Sequence, residues 1–315
     1  MKKFALIGVG GYIAPRHLKA IKDTGNVLVA ALDRSDSVGI LDTYFPDADF
    51  FTEFERFDRH LEMLRRHPGS GVDYVSICSP NYLHDAHVRF ALRIGADAIC
   101  EKPLVLNPWN VVALEEAEKE TGKSINTILQ LRLHPAVVLL KERIEKSPAD
   151  KIFNVDLTYI TARGHWYTVS WKGDTGKSGG IATNIGIHFF DMLSWIFGGV
   201  KKNIVHIYEH KKAAGFLELE RARVRWFLSL DSKDLPFDPE HKKRMTYRSI
   251  TVDGEEVEFS DGFGDLHTES YRQILAGNGF RPMDVLNSVI IASDIRNARP
   301  VGLEGDYHPM LKKVL

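Results

Sequence analysis

The stretch KFALIGVGGYIAPRHLKAIKDTG, residues 3–25, decides how the chain begins to fold. Its apolar part, FALIGVG, predicts a buried strand. The amphipathic part that follows predicts a helix, with Pro15 in the first turn and Gly25 just past the end. A strand, a glycine-containing turn and a helix in this order are typical of the start of a doubly wound parallel sheet.

The same alternation of strand and helix continues to about residue 125. Further runs that predict strands are VLVAALD (27–33), ADFFTEF (48–54), VDYVSICSP (72–80), ADAICEKP (96–103) and SINTILQLR (124–132). The runs that predict helices are EFERFDRHLEMLRRH (53–67), NYLHDAHVRFALRIG (81–95) and NPWNVVALEEAEKETG (107–122). Continuous apolar strands separated by such helices predict a parallel sheet that is covered on both faces.

After about residue 150 the apolar residues alternate with period two, which predicts a largely antiparallel sheet with hairpin turns such as Asp253-Gly254. Its strands would lie in KIFNVDLTYITAR (151–163), IVHIYEH (204–210), AAGFLELERARVRWFLSLD (213–231), MTYRSITVDG (245–254) and EEVEFSD (255–261). Helices at about 134–146, 179–197, 266–276 and 282–298 would pack on this sheet. We therefore predict an α/β domain over residues 1–125 and an α+β domain over residues 126–315.

Composition excludes several classes of partner. The formal net charge is −1, so neither a nucleic acid nor an anionic membrane is expected as a general partner. Cys78 and Cys100 show no CxxC spacing and are expected to be reduced core thiols of a cytoplasmic protein. The N-terminal apolar stretch is too short for a signal peptide and is expected to be the first strand.

The first turn could hold a dinucleotide. Gly8 and Gly10 would let the pyrophosphate approach the backbone N–H groups at the helix start, beside Tyr12 and Ile13. The third glycine of a GxGxxG motif is absent, so a plain strand-to-helix turn is the alternative interpretation.

Asp33, at the end of the second strand, stands where a carboxylate would bind the adenosine ribose. Its charge would repel a 2′-phosphate and favour NAD over NADP, although Arg34 could reduce that preference. The alternative is a turn residue that bonds Ser35.

Two further turns lie at the carboxyl edge of the predicted sheet, where ligands bind in this class of fold. One contains Ser79, Asn81 and His84, and the other contains Glu101 and Lys102. Lys102 would point to where a nicotinamide would lie, and the alternative is a solvated lysine at a strand end. No metal is expected at the histidines of this region, because no second ligand pair with suitable spacing is visible.

The predicted helix GGIATNIGIHFFDMLSWIFGG (179–199) carries a polar stripe on an apolar background. Asn184, His188 and Asp191 follow at i, i+4 and i+7, so they share one face that is buried or lines a pocket. A buried histidine satisfied by its neighbours is the alternative.

Basic residues gather near the domain junction and in the loop before this helix. They are Arg132, His134, Arg163, His165, Lys172 and Lys177, interleaved with Trp166, Tyr167 and Trp171. Positive charge among aromatic rings could hold a phosphate and a ring, and a solvated hairpin tip is the alternative interpretation.

The whole chain resembles the glucose–fructose oxidoreductase / inositol dehydrogenase (Gfo/Idh/MocA) family. The resemblance is carried by four motifs that occur in the family's order: the glycines of the first turn, SPNYLH, EKP and the GG…NIGIH helix. The resemblance implies a Rossmann domain that binds NAD, followed by a substrate-binding and oligomerisation domain with an open, mostly antiparallel sheet. It also implies a homo-oligomer, a tetramer by analogy, and a cis Lys102-Pro103 bond.

Residue roles implied by the resemblance fall into three groups. Cofactor binding is assigned to Gly8, Gly10, Tyr12, Ile13, Asp33, Arg34, Ser79, Asn81, His84, Glu101 and Lys102. Substrate binding is assigned to Lys102, Gln130, Arg132, Arg163, Tyr167, Asn184 and His188. Catalysis is assigned to Lys102 and His188, and which of the two takes the proton stays open. Many members have aspartate where this chain has Asn184, so a three-member relay is not expected here.

Within the family, the chain looks most like the bacterial UDP-N-acetyl-glucosaminuronate 3-dehydrogenases of lipopolysaccharide sugar biosynthesis. The stretches that carry this likeness are LQLRLHP, YITARGHWY, SWKGD and KSGGIATNIGIHFFDML. This implies a UDP-sugar substrate and 2-oxoglutarate as a second substrate that regenerates NAD. A dehydrogenase of a free polyol, inositol or sugar would have little use for the basic aromatic loop. A non-catalytic NAD-binding regulator would not need both Lys102 and His188.

Overall fold

The computed structural model describes residues 1–242, 244–257 and 265–314. Within these ranges, no helix is both long and apolar enough to cross a membrane.

The strands, in chain order, are β1 (Lys3–Ile7), β2 (Val27–Leu32), β3 (Asp49–Phe51), β4 (Tyr74–Ile77), β5 (Asp97–Cys100), β6 (Ile125–Thr127), β7 (Phe153–Thr161), β8 (Val200–Tyr208), β9 (Lys212–Leu219), β10 (Ala222–Ser229), β11 (Thr246–Val252) and β12 (Glu255–Glu256). The α-helices are α1 (Ala14–Asp23), α2 (Ile40–Tyr44), α3 (Phe54–Arg66), α4 (His84–Arg93), α5 (Pro108–Thr121), α6 (Pro135–Glu145), α7 (His165–Val169), α8 (Thr175–Ser178), α9 (Ile187–Phe197), α10 (Pro239–Lys242), α11 (Leu266–Leu275), α12 (Leu286–Asn297) and α13 (Leu311–Val314).

The chain forms two compact units that differ from the predicted division at residues 125 and 126. Unit 1 combines Met1–Gln130 with Gly264–Leu286, and unit 2 combines Leu131–Phe263 with Asn287–Leu315. The later segment belongs to unit 1 because α11 completes its core. Tyr271 of α11 is fully buried and stacks on Phe4 of β1, with ring centroids 5.9 Å apart.

Unit 1 contains the predicted parallel sheet, which confirms the doubly wound fold class. Its strand order is β3-β2-β1-β4-β5-β6, and every neighbouring pair is parallel. The side chains of β4 are buried throughout, as expected for a strand that helices cover on both faces. The order reverses between β1 and β4, so the turns that follow these strands border the edge where ligands bind in such folds.

Unit 2 contains a six-stranded mixed sheet of order β12-β11-β7-β10-β9-β8. The β7–β10 pair is parallel and the other neighbouring pairs are antiparallel, which confirms the mostly antiparallel prediction. The predicted Asp253-Gly254 turn joins β11 to β12, with φ values of 52° and 85°. Of the predicted strand EEVEFSD, residues 258–261 lie outside the described ranges. Helix α9 packs on this sheet, because Phe190 meets Trp226 of β10 edge to face at 5.3 Å.

Three local differences separate the observed elements from the predicted ones. Strand β6 is shorter than predicted and gives way to a 3-10 turn at Gln130–Leu133. The predicted helix at 179–197 starts later, because Gly179 and Gly180 have φ values of 78° and 72°; a π-helical turn at Ala182–Gly186 precedes α9. The short helices α2, α7, α8, α10 and α13 were not predicted, because four or five residues are too few to show a helical period.

Candidate cofactor and active site

The turn after β1 requires glycine for steric reasons. Gly8 has a φ of 91°, and a Cβ atom there would lie 2.7 Å from the carbonyl carbon of Cys78. The Gly8 amide donates to the Leu32 carbonyl oxygen at 2.7 Å, and the Gly11 amide donates to the Gly8 carbonyl oxygen at 3.0 Å. The backbone is therefore packed as tightly as a dinucleotide-binding turn requires.

The carboxylate of Asp33 lies against this turn. It accepts the Gly10 amide at 2.9 Å through one oxygen and the Ser35 amide at 2.9 Å through the other. Both interpretations of Asp33 from the sequence are therefore compatible with the structure, since the side chain caps its own turn and also borders the glycine turn. Arg34 next to it is exposed, as is Tyr12, whereas Ile13 is half-buried.

The turn after β4 is joined to the turn after β5 through His84. One ring nitrogen of His84 lies 2.7 Å from the Pro103 carbonyl oxygen, and the other lies 2.8 Å from the Ser79 carbonyl oxygen. Burial lowers the pKa of His84, against the two carbonyl contacts and the nearby Glu101 carboxylate, which favour the protonated ring. Asn81 is buried in the same turn.

Ser79 also has a partner on α4. Its hydroxyl lies 2.8 Å from Nδ1 of His87, and burial lowers the pKa of His87 to about 4, with the neighbouring His84 as the second cause. His87 is therefore a neutral hydrogen-bond partner at neutral pH. The two histidines of this helix thus each contact a turn at the sheet edge.

The turn after β5 carries Glu101, Lys102 and Pro103, and the Lys102-Pro103 bond is cis, as the family resemblance implied. Glu101 is buried, and its carboxylate accepts from His17 at 2.9 Å and from His267 at 3.0 Å. Burial alone would raise the pKa of Glu101, but these two hydrogen bonds outweigh it and hold the pKa well below its usual value. Lys102 itself is half-buried.

In unit 2, the predicted polar stripe is divided between the π-helical turn and α9. Asn184 is buried and donates its side-chain amide to the Tyr167 hydroxyl at 2.6 Å. His188 is half-buried, and Asp191 is buried. The stripe is therefore part buried core and part accessible helix face.

Arg132 and Asp191 form a buried, two-pronged ion pair. Nε of Arg132 donates to one carboxylate oxygen of Asp191 at 2.9 Å, and Nη2 donates to the other at 2.7 Å. The side chains are 6% and 3% exposed. Arg132 was predicted as a substrate ligand, and the structure places at least two of its N–H groups on an acid of its own unit.

The loop before α9 holds two cations that have no carboxylate partner among the residues described. Arg163 is exposed, and Lys172 is half-buried with its ammonium 4.4 Å from the ring centroid of Trp171. Burial, followed by the charge of Arg163, lowers the pKa of Lys172. Burial raises the pKa of Tyr167, against the hydrogen bond with Asn184 and the charge of Arg163, which both act to lower it. This pair of cations beside aromatic rings suits an anionic ligand.

The remaining predicted residues are placed as follows. Gln130 is half-buried, and its side-chain oxygen has no hydrogen-bond partner in the described part of the chain. His134 caps α6 by accepting the Ala136 amide, Lys177 pairs with Asp174 at 3.4 Å, and His165 is exposed. Gln130 therefore offers an acceptor to a ligand, whereas His134 has a structural role.

Three residues near Glu101 were not predicted from the sequence. His17 lies on the buried face of α1, and His267 and Tyr271 lie on α11. A histidine on an apolar helix face was a weak signal at His17. Nothing in the sequence indicates that His17 contacts His267 and Tyr271, about 250 positions later, because the pattern of residues in α11 does not show which helix it packs against.

Comparison with known proteins agrees with this geometry. The Gfo/Idh/MocA description "Oxidoreductase family, NAD-binding Rossmann fold" matches residues 2–128, and its C-terminal alpha/beta domain matches residues 141–275. The WlbA (WbpB) dehydrogenase of Thermus thermophilus is 52% identical with a TM-score of 0.94, and the alignment covers 98% of this chain and 99% of that one. That enzyme has been solved with NAD and α-ketoglutarate, and with NAD and UDP-GlcNAcA.

Two of the more distant relatives are sugar 3-dehydrogenases. Glucose-6-phosphate 3-dehydrogenase of Bacillus subtilis is 27% identical over 211 residues, which are 62% of this chain and 54% of that protein. D-glucoside 3-dehydrogenase of Escherichia coli is 28% identical over 142 residues, 44% of this chain and 40% of that protein. The matches thus span about half or less of these curated relatives. Because the two family domains together match most of the chain, the protein belongs to the Gfo/Idh/MocA family of oxidoreductases with an NAD-binding Rossmann fold.

Proposed function

We propose that this protein is an NAD-dependent dehydrogenase that oxidises the 3′-hydroxyl of UDP-N-acetyl-glucosaminuronate to a ketone. The observation that carries the proposal is the full-length similarity, at 52% identity, to a dehydrogenase solved with NAD and UDP-GlcNAcA. The more distant matches to sugar 3-dehydrogenases support the same position of oxidation.

The residues of the first turn fit NAD. A Cβ atom at Gly8 would clash with the Cys78 backbone at 2.7 Å, and one at Gly10 would lie 3.2 Å from the Asp33 carboxylate, so glycine at these positions lets the backbone approach the pyrophosphate. The Asp33 carboxylate would bind the ribose hydroxyls and repel a 2′-phosphate. NAD, when bound, accepts a hydride from the carbinol carbon of the sugar and donates it to a keto carbon in the reverse direction.

The cations of unit 2 are suited to the charge of the substrate. A UDP-linked uronate carries a diphosphate and a carboxylate, and a protein with a net charge of −1 must meet them with local positive groups. Burial lowers the pKa of Lys172, and the charge of Arg163 lowers it further because the two cations repel one another. A bound anion would relieve that repulsion, so we assign substrate anion binding first to this pair.

Lys102 and His188 are proposed to handle the hydroxyl proton. Loss of a hydride from a secondary alcohol yields a ketone only if the hydroxyl proton also leaves, and a positioned base contributes about 10²–10⁴-fold to such a step. Either side chain can accept a proton from an alcohol once it is in its neutral form. Asn184 cannot take a proton, and we assign it, with Tyr167 and Gln130, to hydrogen bonding of the sugar.

The proposed second substrate is 2-oxoglutarate. Its ketone would receive a proton from the same group that deprotonated the sugar, and its two carboxylates would use the same cations. The Thermus enzyme solved with NAD and α-ketoglutarate, the same compound, supports this assignment. A cofactor that stays on the protein between the two half-reactions would give ping-pong kinetics.

We also propose a cytoplasmic homotetramer that acts in lipopolysaccharide sugar biosynthesis. The two cysteines are free thiols, as expected in a reducing compartment. Size-exclusion chromatography with light scattering measures the mass of the assembly directly.

The proposal is tested by incubating the purified protein with UDP-N-acetyl-glucosaminuronate and 2-oxoglutarate, without added NAD. We expect both the 3-keto sugar and 2-hydroxyglutarate. Turnover of free sugars or inositol in preference to the UDP-sugar would assign the protein to the polyol dehydrogenases. Binding of NAD without turnover of any of these compounds would make it a regulator.

A further inference from the structure

The carboxylate of Glu101 ends a buried chain of hydrogen bonds in unit 1. His17 and His267 both place Nε2 within 3.0 Å of the same carboxylate oxygen. The other nitrogen of His17 lies 2.8 Å from the Tyr271 hydroxyl, which lies 2.6 Å from the Ser76 hydroxyl. All five side chains are buried, and we refer to them as the Glu101 network.

The direction of these hydrogen bonds follows from the pKa shifts. Glu101 is ionised, since its pKa lies well below the usual value, and His17 is neutral because burial lowers its pKa. Burial raises the pKa of Tyr271 well above its usual value, so this hydroxyl keeps its proton. His17 therefore donates from Nε2 to Glu101 and accepts from Tyr271, which in turn accepts from Ser76. Every donor along the chain points toward the one carboxylate.

The Glu101 network fixes Glu101, the residue before Lys102, and a contact from His84 fixes Pro103, the residue after it. The other oxygen of Glu101 accepts the Lys102 amide at 3.3 Å. On the far side, His84 lies 2.7 Å from the Pro103 carbonyl oxygen. Helices α1, α4 and α11 and strand β4 thus contribute side chains that lock a three-residue turn, far more than a solvated strand end requires.

We propose that His17, His267 and Tyr271 are positioning residues for Lys102. They hold the Glu101 carboxylate, and through it the backbone that presents the lysine ammonium to the substrate hydroxyl. The inference rests on the proposed function, because it assumes that Lys102 acts on the substrate. A misplacement of about 1 Å at such a group can lower a rate about 10²-fold.

Two tyrosines that stack on Phe4 provide a matched pair of variants. Tyr271→Phe removes the hydroxyl that bonds His17 in the network. Tyr74→Phe removes a hydroxyl that makes no hydrogen bond among the described residues, and the Tyr74 ring centroid lies 5.0 Å from that of Phe4. We expect Tyr271→Phe to lower kcat about tenfold or more, with the Kd for NAD within about twofold of wild type. The primary deuterium isotope effect on kcat, measured with the 3′-deuterated UDP-sugar, should rise because hydride transfer becomes slower. Tyr74→Phe should match wild type in all three measurements.

Substitutions at His267 keep the inference falsifiable if Tyr271→Phe fails to fold. His267→Gln retains an N–H donor near Glu101 and should keep most of kcat, whereas His267→Leu should lose it. Equal kcat values for these two variants, or an unchanged isotope effect in a folded Tyr271→Phe protein, would overturn the positioning role. So would a stoichiometric divalent metal in elemental analysis of the purified protein, because a metal between His17, Glu101 and His267 would replace the hydrogen bonds.

A measurement without substrate separates this inference from the proposed function. The pH dependence of Lys102 acetylation by acetic anhydride, followed by mass spectrometry, reports the protonation and exposure of that amine in the NAD-bound protein. We expect the midpoint to shift in Tyr271→Phe and His267→Leu, but not in Tyr74→Phe. If the wild-type protein fails to oxidise the UDP-sugar but the midpoint shifts as expected, the substrate assignment is wrong and the positioning role stands. Identical acetylation profiles in all variants would refute the positioning role.

Discussion

Asp191→Ala should destabilise unit 2 strongly, because it leaves the Arg132 guanidinium buried without its acid. The pair is joined by hydrogen bonds of 2.7 and 2.9 Å, and the side chains are 3% and 6% exposed. Removing one partner of such a pair costs about 3–5 kcal/mol, since the remaining charge stays out of water. For a folding unit of this size, that loss corresponds to a fall in Tm of roughly 6–20 °C.

The assay is a double-mutant cycle followed by urea and thermal unfolding. Arg132→Ala should be about as costly as Asp191→Ala, and the double variant should cost less than the sum of the two by about 2 kcal/mol or more. Lys146→Ala is the control, because its contact with Glu142 is 3.6 Å long with the side chains 78% and 51% exposed. That variant should change the free energy of unfolding by less than about 1 kcal/mol. Additive single effects, or single effects as small as the control, would refute the reasoning.

The cycle also separates two roles of Arg132. If Arg132 only stabilises the fold, the Kd of Arg132→Ala for the UDP-sugar, measured at a temperature where the variant is folded, should equal that of wild type. A Kd raised about tenfold or more would show that the guanidinium also reaches the substrate. Arg163→Ala is the comparison, because this exposed arginine should affect binding and leave stability nearly unchanged.

Three further predictions concern pH, cofactor choice and catalysis. Burial lowers the pKa of His308 to about 4, below its unfolded value of about 6.5, so its contribution to stability is present above about pH 6.5 and is lost as the pH falls toward 4. Urea titrations between pH 4 and pH 6.5 give the slope of unfolding free energy against pH, which His308→Gln should therefore reduce by up to about 1.4 kcal/mol per pH unit. An unchanged slope would mean that His308 titrates normally. Asp33→Asn keeps an oxygen acceptor near the Gly10 amide and removes the charge, so the ratio of NADP to NAD affinity should rise about tenfold in fluorescence titrations. Lys102→Ala and His188→Ala should each lose most turnover while binding NAD like wild type, and near-normal turnover in either would remove that residue from the mechanism.

The sequence was most informative where one local pattern determines the result. The strand–turn–helix of residues 3–25 was predicted closely, because Pro15 and Gly25 mark the limits of α1 and glycine is sterically required at Gly8. The carboxyl-edge turns were also found, since a parallel sheet brings the ends of its strands to one edge.

Contacts between distant residues could not be predicted. His17 and His267 bind Glu101 across 84 and 166 positions of sequence. The sequence analysis assigned the charge of Arg132 to an anionic substrate, but charge alone does not distinguish a carboxylate of the same chain from a ligand. Asp191 reaches Arg132 because of the way α9 packs in the folded unit, which the sequence pattern does not show.

The return of Gly264–Leu286 to unit 1 has a consequence for the order in which the protein is made. The chain passes between the units three times, so the segment that closes the first core is synthesised after most of unit 2. Until Tyr271 arrives, Phe4 lacks one of its two stacking partners and Glu101 lacks one of its two histidines. A nascent chain that ends near residue 130 therefore has a Glu101 carboxylate with only His17 of its two histidine partners, and an open apolar surface where Tyr271 packs. We expect such a fragment to bind chaperones and to become protease-resistant only when the later segment is supplied.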